Sequence, residues 1–354
     1  MALRVLIVKL SSLGDVVHAM PAVQDVLRAV PGAEIDWVVE RPFAALVRRC
    51  AGVHRVIPMA WRRWRHTLTQ RQTWHEMAHF KAELQARTYD AVIDLQGLSK
   101  SALVARLARL SPQGVRYAMG NRTEGSSYEA PTRWLAQCAL PLPWHCHAVA
   151  RARLMCAQAL GYTVPHQQLF GLVAQTQKAP EALKNVAIKQ GLHGVVALVH
   201  GSSRADKQWP LAHWRALVAQ LQQQGWGVAL PHGSDAEQAV AQQIAQGFEH
   251  AQVWPRLDLD ALVDALAQCQ GAIGVDSGLS HIAVALGLPH VQLYNFDTAW
   301  RTGPPVWKPQ PVAPVPQHPA AIPALRQCSV YAQPCPSVDG VFQAWLNVSA
   351  TVAP

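Results

Sequence analysis

Charge is scarce in this chain, and long apolar runs are missing. Asp, Glu, Lys and Arg make up 15% of the 354 residues against 50% apolar. That balance excludes a disordered chain, and the length allows more than one core. No apolar stretch reaches the roughly 18–20 residues needed to span a bilayer. The N-terminus runs directly into a strand-like Arg4-Val5-Leu6-Ile7-Val8, without the apolar stretch and cleavage site of a secretory signal, so a cytoplasmic protein is expected. Seven cysteines (Cys50, Cys138, Cys146, Cys156, Cys269, Cys328 and Cys335) are odd in number and form no Cys-x-x-Cys, which fits reduced thiols rather than a disulfide framework. Neither G-x-G-x-x-G nor a P-loop occurs, which speaks against dehydrogenases and P-loop NTPases. Acidic residues are outnumbered, 22 to 31, leaving a net charge of +9. The partner is therefore anionic: nucleic acid, a membrane surface or a phosphorylated metabolite.

What is present is an alternation of strand and helix patterns. Strand-like runs at Val5–Leu10, Ile35–Val39, Arg55–Pro58 and Ala91–Leu95 are separated by helical patterns at Val16–Val30, Phe43–Arg49, Trp74–Arg87 and Lys100–Leu110. Pro21 is read as opening a fresh first turn within the first of these. After a polar, Gln-rich linker around 164–180 a second series begins, at Val195–Val199, Val228–Pro231, Ala251–Trp254, Ala272–Val275 and Val291–Tyr294. This is the rhythm of parallel sheets covered on both faces. Two Rossmann-like, doubly wound α/β domains are expected to face each other across a cleft, with ligands at the carboxyl ends of the strands. The proline-rich run 304–323 reads as an irregular connector, and Val338–Val348 as a short amphipathic helix.

Chemistry concentrates in a few loops. Val275-Asp276-Ser277-Gly278 joins a strand to an apolar-periodic helix, and a helix N-terminus there suits a phosphate or diphosphate. Gly278 admits close approach, Ser277 offers a hydroxyl, and His281 falls in the first turn. Asp276 would repel phosphate, so it is assigned to sugar hydroxyls or to capping the helix. An ordinary capped helix fits the same residues. Ser202-Ser203-Arg204-Ala205-Asp206-Lys207 follows the first strand of the second half, and Lys207 is a mobile point charge suited to diphosphate. Gly14-Asp15 follows the first strand of the first half, where Asp15 is either a proton acceptor or a helix cap. The basic patch Arg62-Arg63-Trp64-Arg65, with His66 and Arg71, is either an anion- or lipid-facing surface, with Trp61 and Trp64 able to enter an interface, or a solvated helix face. His75-Glu76-Met77-Ala78-His79 matches H-E-x-x-H, but the pattern is short and no third ligand stands at the extended spacing. Cys138, His145, Cys146, His147 and Cys156 fit no common finger. No metal site is assigned.

Together these segments resemble the bacterial lipopolysaccharide heptosyltransferases of glycosyltransferase family 9. The resemblance runs through Val5–His18, Tyr89–Leu98, Ser202–Pro210 and Val275–His281. Asp36–Glu40, Arg55–Pro58 and Arg62–Arg65 place the chain nearer the members that add the first heptose than those that add the second. The family implies a GT-B fold, divided here as 1–173 (acceptor-binding), 174–335 (donor-binding) and 336–354, a C-terminal helix packing back on the first domain. It implies ADP-heptose as donor, contacted by Ser202, Ser203, Lys207, Glu237, Leu257, Asp276, Ser277, Gly278 and His281. Asp15 matches the catalytic base. The acceptor is the Kdo sugar of Kdo2-lipid A, its carboxylates and phosphates held by Lys9, Arg62, Arg63, Arg65 and Arg122. The reaction is metal-independent and inverting, on the cytoplasmic face of the inner membrane, with peripheral contact to anionic lipid and no nucleic acid. Asn295–Trp300 departs from the family's Gly-Pro-Thr-Asp-Pro turn, so no contact is carried over there. The rival readings are a related enzyme adding a later heptose and a non-enzymatic anion-binding protein.

Overall fold

Runs such as Val5-Leu6-Ile7-Val8 are apolar on both faces, which suits strands covered on both sides rather than a half-solvated sheet. The computed structural model describes residues 2–175, 192–304 and 326–350 and builds two six-stranded sheets from such runs. The first contains β1 (Arg4–Val8), β2 (Glu34–Glu40), β3 (Val53–Met59), β4 (Thr88–Asp94), β5 (Arg109–Met119) and β6 (Cys138–Leu140), in the order β3-β2-β1-β4-β5-β6. The second contains β7 (Gly194–Val199), β8 (Trp226–Leu230), β9 (Ala251–Val253), β10 (Gly271–Val275), β11 (His290–Tyr294) and β12 (Gln327–Tyr331), in the order β12-β11-β10-β7-β8-β9. All pairings are parallel. The chain divides into two compact units, Met1–Val173 and Ala174–Pro354, with one sheet in each.

Both sheets reverse their strand order beside their first strand. In the first unit the reversal lies between β1 and β4, where Val8 pairs with Asp94. In the second it lies between β7 and β10, where Val199 pairs with Gly274. At such a switch point the flanking connections leave on opposite faces, and a crevice opens at the strands' carboxyl ends. The cores hold these ends rigid. Leu6, Val8, Val38 and Ile57 pack with Trp64, Phe80 and Leu84 in one unit, and Leu198, Ile273 and Leu293 with Trp214 and Trp345 in the other.

Several expectations need correcting. The first helix is Leu13–Ala29 and runs through Pro21 without a break. The missing N–H costs one ladder bond, and the burial of Met20, Ala22, Val23 and Val26 around it holds the turn in place. The pattern at Lys100–Leu110 stops as a helix at Leu107 and becomes β5 at Arg109, a strand hidden in sequence by Ser111-Pro112-Gln113-Gly114. The helix Ala148–Leu160 was not foreseen. It packs on Leu13–Ala29 through the fully buried Asp25, which accepts from Arg153 Nε at 2.6 Å and Nη2 at 3.1 Å. The C-terminal helix Val338–Ser349 buries Val341, Trp345 and Val348 in the second unit's core. The linker beyond 175 and the proline-rich run beyond Pro304 lie outside the described residues. None of the seven cysteines is in a disulfide. Among the described residues, no helix is long and apolar enough to cross a membrane.

Candidate active site

In the second unit every donor residue expected from the sequence stands beyond the carboxyl end of a strand, or early in the helix that follows one. Ser202, Ser203 and Lys207 follow β7, Glu237 follows β8, Leu257 follows β9, and Asp276, Ser277, Gly278 and His281 follow β10. Gly201 lets the Glu237 carboxylate lie against the backbone; a Cβ there would meet Oε1 at 2.7 Å and displace the carboxylate. Glu237 is fixed by its Oε2 accepting from Gly233 N at 2.7 Å, and its backbone carbonyl lies 3.0 Å from His200 Nε2. Ser277 is the N-cap of the helix Gly278–Ala285, and its buried Oγ has no protein partner. A buried hydroxyl left unpaired at a helix N-terminus is available to a bound ligand.

Ser277 is the N-cap of the helix, and Asp276 before it sits in a polar network. Its Oδ2 accepts from Lys207 Nζ at 2.5 Å, and its Oδ1 lies 3.3 Å from His281 Nε2, 3.3 Å from Gln292 Nε2 and 3.4 Å from Thr302 Oγ1. Burial by itself would raise this carboxyl, but the hydrogen bond and charge of His281, together with Lys207, outweigh it and hold the group well below the usual carboxylate range. Asp276 is therefore an anionic post that aims Lys207 and His281. Tyr294 extends the network, its hydroxyl 2.9 Å from Gln292 Nε2 and 3.2 Å from Thr302 Oγ1. Burial, and then the Asp276 charge, push that phenol well above its ordinary range.

The segment after β11, to which no contact was assigned, contributes directly. Asn295 Nδ2 donates to the carbonyls of Asp206 and Gln208, 3.0 Å each, which bracket Lys207. A side-chain amide spanning the two neighbours of one lysine fixes the loop that carries it. Sequence reading had no signal for this, because the donor lies some ninety residues away from the loop.

In the first unit Asp15 lies in the opening turn of Leu13–Ala29 and is half-buried. Its Oδ2 accepts from Ser12 N at 3.1 Å and Ser12 Oγ at 3.0 Å. Lys9 Nζ stands 3.6 Å and Arg151 Nη2 4.0 Å from Oδ1. Burial pushes this carboxyl up, but Lys9, the Ser12 N–H and Arg151 prevail and bring it below its ordinary value. Lys9 is 4% exposed, and burial lowers its pKa against the pull of Asp15. Beneath it Asp94 is raised to about 6 by burial, despite bonds from the Gln96 and Gly97 amides and Ser101 Oγ. Gln96 Oε1 accepts from both Leu10 N and Ser11 N at 3.1 Å, tying the Asp15 loop to the end of β4. Arg151 and Gln96 were both missed as site residues. Arg151 reaches Asp15 because its helix packs on Leu13–Ala29.

The basic patch divides. Arg62 and Arg65 line a cavity of about 460 Å³ with Trp61, Ser99, Lys100 and Glu129. Arg63 turns instead to Glu76, which also accepts from Trp64 Nε1 at 2.9 Å. Trp64 is 2% exposed and packs on Phe80, so it is a core residue and not an interfacial one. Arg122 is exposed in the loop after β5. Glu76 is thus already engaged at the centre of the H-E-x-x-H segment, and His75 and His79 lie on its exposed side. His145 pairs with Glu124 at 2.8 Å and His147 caps Ala148–Leu160 through Val149 N. Among the described residues, no three His, Cys, Asp or Glu converge on a metal-sized site.

The sequence matches glycosyltransferase family 9 (heptosyltransferase) over residues 77–329. Lipopolysaccharide heptosyltransferase 1 of Pseudomonas aeruginosa is 40% identical over 301 residues, covering 85% of this chain and 81% of that protein. Among solved structures, the E. coli heptosyltransferase WaaC with ADP is similar at a TM-score of 0.74 and 35% identity, over 85% of this chain and 90% of that one. The same enzyme with ADP-2-deoxy-2-fluoro heptose is similar at a TM-score of 0.74 and 32% identity, over 99% and 98% of the two chains.

Proposed function

The chain belongs to glycosyltransferase family 9, the heptosyltransferases, and from that premise we propose that it moves L-glycero-D-manno-heptose from ADP-heptose to the Kdo sugar of Kdo2-lipid A. The observation that carries the reading is the chemistry at the two switch points. In the second unit a cation, a helix N-terminus and an unpaired hydroxyl converge beside β10, a set suited to a diphosphate. In the first, a carboxylate is kept ionised by two cations beside β1.

The reaction is a single displacement. The acceptor hydroxyl oxygen attacks the anomeric carbon opposite the diphosphate. The carbon–oxygen bond to ADP breaks, its electron pair leaves on the β-phosphate, and the configuration inverts. The hydroxyl proton passes to Asp15. With its pKa held low, Asp15 is a weak base in the ground state, so transfer comes late, once bond formation has made the hydroxyl acidic. Lys207 and the helix starting at Gly278 stabilise the charge gathering on the departing diphosphate, the work a divalent cation does in other transferases. Glu237, Ser202, Ser203, Ser277 and His281 are assigned to the donor's sugar and phosphates, and Leu257 to its adenine. Arg62, Arg65 and Lys100, with Lys9 and Arg122, are assigned to the acceptor's carboxylates and phosphates. The enzyme works at the cytoplasmic face of the inner membrane, where the acceptor lipid lies.

Incubation with ADP-heptose and Kdo2-lipid A, with and without EDTA, tests this through ADP release. Equal release in both arms is expected. Release only on an already heptosylated acceptor would reassign the chain to a later core heptose. Activity lost to EDTA and restored by magnesium would overturn the metal-independent mechanism.

A further inference from the structure

The cavity that holds Arg62 and Arg65 has a rim of a different character. The helix Ser99–Leu107 turns its Ala102, Val104 and Ala105 inward, leaving Leu103 53% and Leu107 41% exposed one turn apart. The helix Pro131–Leu135 packs beside it and leaves Trp134 69% exposed, the highest exposure of any large apolar side chain among the described residues. Cations alternate with these groups. Lys100 and Arg106 sit on the outer face of the first helix, and Arg133 holds its guanidinium 5.9 Å from the Trp134 ring. Neither helix carries a carboxylate. Glu129, the acid beside them, accepts from Ser99 N at 2.7 Å and so caps the first helix.

We propose that these two helices form a membrane-docking face: Leu103, Leu107 and Trp134 enter the interfacial layer of an anionic bilayer while Lys100, Arg106 and Arg133 contact its headgroups. Apolar side chains flanked by three cations, with the one neighbouring acid engaged as a helix cap, are mismatched to water and to a neutral protein partner, and matched to an anionic lipid interface. Trp favours that depth because its ring is apolar and its N–H polar. The face is short, so binding is reversible, as an enzyme that must leave one lipid acceptor for the next requires. Continuity with the cavity gives the occupant. Leu103 and Lys100 belong to both, so an acceptor held there would have its acyl chains in the bilayer on which the face rests. This part of the inference rests on the acceptor reading above.

Co-sedimentation with vesicles lacking any acceptor tests the face independently of catalysis. Vesicles of equimolar phosphatidylglycerol and phosphatidylcholine are compared with pure phosphatidylcholine. The wild-type chain should partition onto the anionic vesicles and little onto the neutral ones. Leu107→Ser with Trp134→Ser should lower that partitioning by roughly tenfold or more, the scale of removing two interfacial apolar groups. Arg106→Ser with Arg133→Ser provides a second variant, which should lower it and flatten its salt dependence. Both variants should transfer heptose to a deacylated, water-soluble acceptor at the wild-type rate. Wild-type partitioning by both variants, or equal binding of the wild-type chain to neutral and anionic vesicles, overturns the proposal. Equal loss of activity on the soluble acceptor would place these residues in the acceptor site instead and also overturn it. A wild-type chain that sediments as expected but transfers no heptose would sink the functional reading and leave the docking face standing.

Discussion

Replacing Arg151 by Met should move the acid limb of the pH–rate profile upward. Arg151 Nη2 lies 4.0 Å from Asp15 Oδ1. Two unit charges at that distance interact by ~1 kcal/mol in water and ~4 kcal/mol at an effective dielectric constant of about 20. Asp15 is 36% exposed, so screening keeps the value near the lower end, about 1–2 kcal/mol. At ~1.36 kcal/mol per pH unit this is a shift of about 0.7–1.5 units. The sign follows from the chemistry. The ionised carboxylate is the active form, the cations beside it lower its pKa, and removing one raises that pKa, so activity fails at a higher pH as acid is added. Met keeps the buried stem of the side chain. Thr123 Oγ1, which Arg151 also contacts at 3.1 Å, retains Ser126 Oγ at 2.9 Å. The assay is kcat/KM for the acceptor across a pH series, which reports the free enzyme. Arg151→Lys, which keeps the charge, should leave the limb close to wild type. An acid limb in Arg151→Met that stays in place or moves downward refutes the assignment of Asp15 as the titrating base.

Lys207→Ala should weaken ADP binding by roughly tenfold or more, as expected for losing a charge-assisted contact; unchanged affinity by calorimetry would mean that Lys207 only neutralises Asp276. Asn295→Ala should weaken ADP binding a fewfold, because it frees the loop that carries Lys207, and it should add almost nothing in the Lys207→Ala background. Fully additive losses in that double-mutant cycle would separate Asn295 from Lys207. Replacing Arg62 and Arg65 together by Ser should raise the acceptor KM by roughly tenfold or more and leave the donor KM unchanged. Arg63→Ser should instead leave both constants alone and lower the melting temperature slightly, since Arg63 serves Glu76; an Arg63 effect on acceptor KM equal to that of the pair would show that the cavity is not the acceptor's.

The repeated strand–helix rhythm was legible because both-face burial demands continuous apolar runs such as Val195–Val199, and those survive any rearrangement of loops. The loops at Asp15, Lys207 and Asp276 were legible too, since a strand end followed by small residues and a helix start marks itself in linear order. The strand Arg109–Met119 was not, because its polar middle Ser111-Pro112-Gln113-Gly114 is an unpaired irregularity between Leu110, opposite Tyr89, and Val115, opposite Ala91, which no periodicity announces. The roles within the site were decided only in three dimensions. Asp276 is surrounded by donors from residues 207, 281, 292 and 302, which makes it an anchor for a lysine, a role its place in the sequence did not announce. Arg62 and Arg63 are neighbours in sequence, yet one lines a cavity and the other is paired to Glu76, because successive helical residues point about 100° apart. Residue type and order determined where charge and backbone dipoles gather. Which charge meets which depended on packing between segments far apart in the chain, and that is where Arg151, Gln96 and Asn295 acquired their places.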